Sequence, residues 1–182
     1  MMPILRALKF LMATVLFAAQ GFGVENPDAQ SPQTCCAIVE LRQYTLHPGK
    51  RDVLIDLFDR EFVESQEALR MKIIGQFRDL DNPNRFVSLR GFRDMPSRVQ
   101  ALKDFYGGPT WKAHREAANA TMIDSSNVLL LHPATPSSGF SLESKTRPPA
   151  GSDETRSELI VAKIYYFNAP VDAGFVEFFE KQ

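Results

Sequence analysis

The sequence predicts an α+β fold whose main unit follows the β-α-β-β-α-β order of a ferredoxin-like domain. One observation is hydrophobic periodicity, since stretches that alternate every second residue are separated by amphipathic stretches with helical spacing. The other is a repeat, because the pattern that starts at Val39 returns without a gap at Ile160. The chain is therefore predicted to carry one ferredoxin-like unit followed by a truncated second copy, made of one strand and one helix.

The first half of the main unit is predicted to form a strand, a helix and a hairpin. A strand is predicted over residues 38–46, and a His-Pro-Gly turn ends it. A helix follows over residues 50–69, because apolar side chains recur there at helical spacing. Strands at residues 71–80 and 85–92 flank an Asp-Asn-Pro-Asn turn, so they are predicted to pair.

The second half adds two helices and a fourth strand. Residues 95–106 have apolar side chains at helical spacing, and the Gly-Gly pair that follows ends this helix. Pro109 suits the first turn of the next helix, which is predicted to continue to about residue 122. The stretch Asn-Val-Leu-Leu-Leu at residues 127–131 predicts the fourth strand.

The N-terminus has the features of a secretory signal peptide over residues 1–23. Basic residues Arg6 and Lys9 precede an apolar run that ends in small residues. This run is shorter than the ~20 residues that a membrane-spanning helix needs. We therefore expect a secreted or periplasmic protein that meets the membrane only transiently, through its signal peptide.

The remaining chain divides into four further segments. Residues 24–35 are a polar, flexible lead-in, and residues 36–132 contain the main unit. Residues 133–157 are rich in Pro, Ser and Thr and lack an apolar period, so they are predicted to be a disordered linker. Residues 158–182 contain the partial second copy.

Composition excludes some function classes. The formal net charge of −1 gives no electrostatic basis for a nucleic-acid partner. The two cysteines and three histidines lack the spacing of metal ligands, so no metal site is predicted. Cys35 and Cys36 are adjacent, and three states stay open for them: a bond to each other, a bond to another chain, or two small reduced residues at the start of the first strand.

Alternation along the strands predicts two different sheet faces. Val39 and Leu41 share one face, which we expect to pack beneath the helices. The opposite face is rich in arginine and would suit the lining of a polar cavity; alternatively, its charges only fix the register of the strands and keep the protein soluble. The ligand-binding candidates on this face and on the third helix are Glu40, Arg42, Tyr44, Gln76, Arg78, Ser88, Arg90 and Trp111.

Three motifs resemble the NIPSNAP family over residues 38–131. They are Val39-Glu-Leu-Arg-Gln-Tyr44-Thr-Leu-x-Pro-Gly49, Phe86-Val-Ser-Leu-Arg-Gly-Phe92 and the helix that contains Trp111. The resemblance implies a dimeric α/β barrel, in which two ferredoxin-like units pair their sheets around a cavity, and hence a homodimer that forms through the sheet face. Ser88 departs from the aromatic residue usual in the family, which implies a larger and wetter cavity if position 88 points inward.

Two functions from different classes follow. The first is an exported barrel protein that binds a small polar or anionic ligand, or a protein partner, without a reaction and without a cofactor. The alternative, which the resemblance to the wider barrel group implies, is a cofactor-free or haem-dependent oxidoreductase or monooxygenase. Its catalytic candidates are His114, as a proton acceptor or haem ligand, and Tyr44, as a hydrogen-bond donor to an oxyanion. No catalytic constellation is evident from spacing, so no reaction is assigned and the catalytic residues are unknown.

Overall fold

A four-stranded antiparallel sheet with helices on one face forms the main unit of the protein in a computed structural model. The structure describes residues 34–142 and 159–181. The predicted signal peptide and most of the predicted lead-in lie outside these ranges. Within the described ranges, no helix has both the length and the apolar character needed to cross a membrane.

The helices and strands follow the predicted order, and the sheet order β2-β3-β1-β4 is that of a ferredoxin-like domain. Strands β1 and β3 have the bounds that the sequence predicts. The elements are β1 (Ile38–Leu46), α1 (Arg51–Leu57), a π-helical turn (Phe58–Phe62), α2 (Val63–Glu67), β2 (Lys72–Arg78), β3 (Arg85–Phe92), α3 (Met95–Gly107), α4 (Pro109–Asn119), β4 (Met122–Leu131) and α5 (Ala173–Glu180).

Two elements differ most from their predicted form. The predicted helix over residues 50–69 contains the π-helical turn, for which the apolar spacing gave no signal. Strand β4 begins at Met122 instead of residue 127, because the end of β1 continues to pair with it through two register irregularities. Residues 123–127 of β4 are exposed and mostly polar, so their strand conformation comes from pairing with β1 and not from an alternating pattern.

The N-terminus of α3 follows local chemistry. The Asp94 carboxylate accepts a hydrogen bond from the Ser97 backbone N–H at 2.7 Å, and the Ser97 hydroxyl oxygen accepts one from the Asp94 N–H at 3.0 Å. This reciprocal cap satisfies two backbone donors that the first helical turn leaves unpaired. Pro109 is the first residue of α4, as the sequence predicts.

The helices cover the sheet face opposite to the one that we expected. The Arg98 side chain on α3 bonds to Glu40, and Gln66 on α2 bonds to Arg90. The face that carries Leu41 and Leu89 is instead only half-buried. The expectation was wrong because it overlooked large apolar residues at the ends of the arginine-bearing face. Leu46, Phe86 and Phe92 alternate onto that face and are fully buried in the core.

The two cysteines form a disulfide with each other directly before β1. The Cys36 side chain is buried against Gly91 on β3, where a side chain of any size would overlap it. Glycine is therefore required at position 91 for this close approach.

Part of the predicted linker folds back towards the cysteines. The Cys35 N–H donates a hydrogen bond to the Phe140 carbonyl at 2.7 Å. A turn precedes that contact, with the Ser138 N–H donating to the Thr135 carbonyl at 3.2 Å. Residues 133–142 thus have defined contacts instead of the disorder that their composition suggests, and the rest of the predicted linker lies outside the described residues.

The C-terminal copy of the repeat forms its helix but not its strand. Helix α5 occupies the positions that the repeat assigns to a helix, and the Asp172 carboxylate caps it by accepting a hydrogen bond from the Phe175 N–H at 2.8 Å. Residues 159–168 belong to no strand and are exposed. The prediction of a truncated second copy is therefore not confirmed as a structural unit.

Candidate functional site

A cavity of about 250 Å³ lies between the helices and the middle of the sheet. Its polar side chains come mainly from β1, β3 and α2, and its apolar side chains come mainly from the helices. The cavity therefore lies within one protomer, on the sheet face that carries the arginines. The polar lining residues are Arg42, Tyr44, Gln66, Arg90, Asn119 and Ser125.

The apolar wall is made of aromatic rings in contact. Phe62 packs edge-on against Phe58 with ring centroids 5.8 Å apart, and it lies 5.6 Å from Trp111. Trp111 meets Tyr106 at a right angle, with centroids 5.0 Å apart. Phe58 and Phe62 are the first and last residues of the π-helical turn, which directs both rings to the cavity and the core. Such turns are frequent at functional sites.

Beneath the cavity, the Glu40 carboxylate lies among three guanidinium groups, two from the sheet and one from α3. Glu40 is fully buried, and its Oε2 lies 2.6 Å from Arg90 Nε and 3.2 Å from Arg42 Nη1. Its Oε1 accepts a hydrogen bond from Arg98 Nε at 2.7 Å. Burial raises the pKa of Glu40, but the charges of Arg90 and Arg42 and the hydrogen bonds outweigh burial and hold the pKa below its ordinary value. The ionised cluster therefore carries an excess of positive charge.

Arg90 has one nitrogen without a partner in the part of the chain that the structure describes. Its Nη1 donates to Gln66 Oε1 at 2.8 Å, and Gln66 Nε2 donates in turn to the Phe62 carbonyl at 3.1 Å. Its Nη2 is buried and has no hydrogen-bond partner among the described residues. A buried donor left unpaired costs about 1–3 kcal/mol. Other atoms of Arg90 line the cavity, so a rotation of the guanidinium would bring Nη2 to an acceptor on a bound molecule and remove that cost.

Tyr44 provides a second donor. Arg42 Nε donates a hydrogen bond to Tyr44 Oη at 2.7 Å, so the hydroxyl oxygen is an acceptor in that pair. Among the described residues, no acceptor receives the proton of this hydroxyl. Burial raises the pKa of Tyr44, although the charges of Arg42 and Arg90 lower it, and the net shift is upward. The hydroxyl therefore keeps its proton at neutral pH and can donate it to a ligand.

The structure brings half of the predicted ligand-binding residues to the cavity. Glu40 lies behind the lining, where it holds the arginines, and Ser88 is buried on the same face without lining the cavity. The larger, wetter cavity expected from Ser88 thus does not arise from that residue. The four predicted residues that line the cavity are Arg42, Tyr44, Arg90 and Trp111.

Two candidates on β2 lie away from the cavity. Gln76 Nε2 donates to Asp59 Oδ1 at 2.6 Å. Arg78 pairs with Asp52 at 3.2 Å, with both side chains at least half exposed. These contacts tie β2 to the first helical region, and neither side chain lines the cavity.

His114 is not placed to act on a molecule in the cavity. Its Nε2 lies 3.3 Å from Glu61 Oε2, both side chains are about one-third exposed, and its ring contacts Phe62 from outside the lining. Of the two catalytic candidates, only Tyr44 lines the cavity. Within the described ranges, no group of three or more His, Cys, Asp or Glu side chains could hold a metal ion.

Sequence reasoning missed Gln66 and Tyr106. Gln66 lies in the apolar stripe of a helix and is almost fully buried, and a polar residue in that position is a usable signal because buried polar groups need partners. Tyr106 lies beside the Gly-Gly break and gave no local signal. The rings of the π-helical turn were identified as core residues, but the apolar pattern does not distinguish a core position from a cavity wall.

Comparison with known proteins agrees with this fold. The NIPSNAP family model matches residues 39–138. A NIPSNAP-like domain protein from Burkholderia xenovorans is 25% identical, with 65% of this chain and 97% of that chain covered and a TM-score of 0.50.

Two further solved structures from Agrobacterium tumefaciens are similar. A NIPSNAP family protein is 22% identical, covering 54% of this chain and 89% of that chain, with a TM-score of 0.50. A second one, described as of unknown function, is 19% identical, covering 58% and 92%, with a TM-score of 0.51. Among curated proteins, none matches this chain.

Proposed function

This chain belongs to the NIPSNAP family, and we propose that it binds a small molecule with a polar or anionic end in the cavity of each protomer. The observation that carries the proposal is the buried Arg90 Nη2, which has no acceptor among the described residues although Arg90 lines the cavity. Tyr44, whose hydroxyl proton has no acceptor among the described residues, lines the same cavity. Binding without turnover is the proposed activity, and no reaction is assigned.

The cavity has the usual composition of a ligand site. Small-molecule sites combine a mainly apolar lining with a few polar groups that fix orientation. Here aromatic rings form the wall, and the side chains of Arg42, Tyr44 and Arg90 are at the sheet. A volume of about 250 Å³ equals that of about eight liquid waters, which is enough for a small organic molecule.

A homodimer through the sheet is the second part of the proposal. The sheet face without helices carries apolar side chains that are only half-buried, among them Leu41, Val87, Leu89 and Leu129. A second copy of the chain, packing its own sheet against this face, would bury them. The arginine-bearing face is already covered by helices, so the dimer would form on the opposite face from the ligand.

Export to an oxidising compartment is the third part. The features of residues 1–23 support it, since they are those of a secretory signal peptide. The bond between Cys35 and Cys36 also supports it, because disulfides persist mainly in secreted and periplasmic proteins. The intact mass of the protein recovered from outside the cytoplasm would test whether the leader is removed.

Native mass spectrometry of the folded protein, beside a denatured sample, tests the proposal. We expect a dimer that carries extra non-protein mass, which the denatured sample loses. A ligand-free monomer that also fails to bind added small molecules would contradict both the cavity and the dimer. An absorption spectrum of the same sample tests the haem-dependent form of the oxidoreductase alternative, since bound haem would give a Soret band.

A further inference from the structure

We infer that the ligand is a small aromatic carboxylate, which rests on the proposed function because it concerns the occupant of the same cavity. The inference names an anionic end, two oxygen acceptors and one flat ring. Each of these three features corresponds to a separate set of side chains.

The anionic end follows from the charges around Glu40. Among the described residues, one carboxylate is bonded to Arg42, Arg90 and Arg98, so one negative charge faces three positive charges in a largely buried cluster. Buried charges in proteins are usually paired with an opposite charge, and this cluster has fewer negative than positive charges. Arg42 and Arg90 also line the cavity, which is therefore the place where a ligand anion would reduce the imbalance.

The two oxygen acceptors follow from the two unused donors. Arg90 Nη2 has no partner among the described residues, and the Tyr44 hydroxyl accepts from Arg42 without donating. A carboxylate has two oxygens and accepts from a guanidinium and a hydroxyl at the same time. A single hydroxyl on a ligand could not supply both acceptors and a negative charge.

The flat ring follows from the cavity wall. Phe62, Trp111 and Tyr106 meet at tilted or perpendicular angles, with neighbouring ring centroids 5.0–5.6 Å apart. Aromatic groups favour such edge-to-face neighbours, so this wall suits another ring. The volume of about 250 Å³ limits the ligand to about one ring with its substituents, and a bare inorganic anion would leave the wall without a partner.

Trp111 provides the measurement. It is the single tryptophan of the sequence, and it lines the cavity, so intrinsic fluorescence reports on that site. The full chain would be titrated with benzoate, with benzamide as its neutral analogue and with acetate as the carboxylate without a ring. We expect saturable binding of benzoate. Benzamide should bind at least ~10-fold more weakly because it loses one charge-assisted hydrogen bond, and acetate should bind at least ~10-fold more weakly because it lacks the ring that packs against the aromatic wall.

Two variants and a control locate the binding. Tyr44→Phe keeps the ring that stacks on Phe86 and removes only the hydroxyl, so benzoate affinity should fall ~5- to 10-fold while benzamide affinity changes little. Arg90→Gln should abolish the preference for benzoate over benzamide. Arg78→Gln removes an arginine from the same sheet face outside the cavity and should leave both affinities unchanged. Circular dichroism checks that each variant is folded. If Arg90→Gln does not fold, the test of the binding site rests on Tyr44→Phe.

Each different result of the titration would contradict one feature of the inferred ligand. Equal binding of benzamide and benzoate would overturn the anionic end, and equal binding of acetate would overturn the ring, while both would leave a ligand-binding cavity. Failure of all three probes overturns the aromatic carboxylate. If the native protein nevertheless carries bound non-protein mass, the proposed ligand binding stands and only the aromatic carboxylate is wrong. If the native protein carries no such mass, both the proposed function and the aromatic carboxylate are wrong.

Discussion

The strand and helix that begin at Val39 and those that begin at Ile160 share one pattern but not one structure. The repeat aligns Tyr44 with Tyr165 and Phe58 with Phe179. In the first copy, β1 lies between β3 and β4, and Tyr44 and Phe58 are buried. In the second copy, the strand does not form, and Tyr165 and Phe179 are about half exposed.

The difference shows which element a local sequence can form alone. Helix α5 makes its hydrogen bonds within itself, and Asp172 caps its first turn. A strand has no internal hydrogen bonds, so it needs neighbouring strands, and none is present for residues 159–168 among the described residues. In their place, Tyr165, Phe175 and Phe179 pack on each other with ring centroids 5.0–5.8 Å apart.

The copies also differ in charge. Position 40 is a buried glutamate in the first copy, and the aligned position 161 is valine. The arginine cluster that surrounds Glu40 therefore belongs to the first copy alone. Exchanging the residues at positions 40 and 161 is the most direct test of whether Glu40 accounts for the difference between the two copies.

Glu40→Val, which introduces the residue of the second copy, should destabilise the fold most. It leaves Arg90 buried without its carboxylate partner, and such a loss costs about 3–5 kcal/mol. The free energy of unfolding in urea measures it, with Val161→Glu as the matched control that should change little. A loss below about 1 kcal/mol in Glu40→Val would show that the ion cluster contributes little to the difference between the copies.

Phe58→Ala should be the next largest effect. Phe58 is buried against Phe62 and Phe86, and truncation of a buried Phe costs about 3 kcal/mol or more. Its counterpart Phe179→Ala should cost no more than about 0.5 kcal/mol, because that ring is 45% exposed. Urea unfolding of both variants checks the pair, and equal losses would mean that the C-terminal copy is packed as well as the first.

Acid should weaken the first copy through Glu40. Because its folded-state pKa is depressed, the ionised carboxylate stabilises the fold above its ordinary pKa of 4.5, and that stabilisation is lost as the pH falls through the lower folded value. The cap residue Asp94, with a pKa of about 2 instead of 3.8, contributes in the same direction. Unfolding free energies measured from about pH 6 to pH 3 should fall, and less steeply in Glu40→Gln; an unchanged slope would exclude Glu40 as a source.

Deletion of residues 151–182 should have the smallest effect. Nearly all described side chains of this segment are exposed, and only Phe175 and Val176 are half-buried. We expect the melting temperature of the main unit to stay within about 5 °C, which corresponds to about 1 kcal/mol for a domain of this size. A larger fall in differential scanning calorimetry would show that the segment stabilises the main unit.

The sequence predicted most of the fold and part of the site. Arg42, Tyr44 and Arg90 were identified because they alternate along strands, and Trp111 was included on the third helix. The prediction of which sheet face the helices cover was wrong. It relied on the apolar Val39 and Leu41 on one face and left out the large apolar residues at the ends of the arginine-bearing face. Comparing the apolar residues of the two faces with Phe86 and Phe92 included would have predicted that the helices cover the arginine-bearing face.

The sequence by itself determined the order of helices and strands, the hairpin, the first residue of α4 and the repeat, because these depend on local spacing, turns and caps. Tertiary structure decided which sheet face the helices cover, where the cavity lies and that residues 159–168 do not become a strand. It also decided the partners of Glu40. These outcomes depend on contacts between residues far apart in the chain. Whether one segment is buried, and which hydrogen bonds it makes, depends on the side chains and backbone groups of the segment that packs against it.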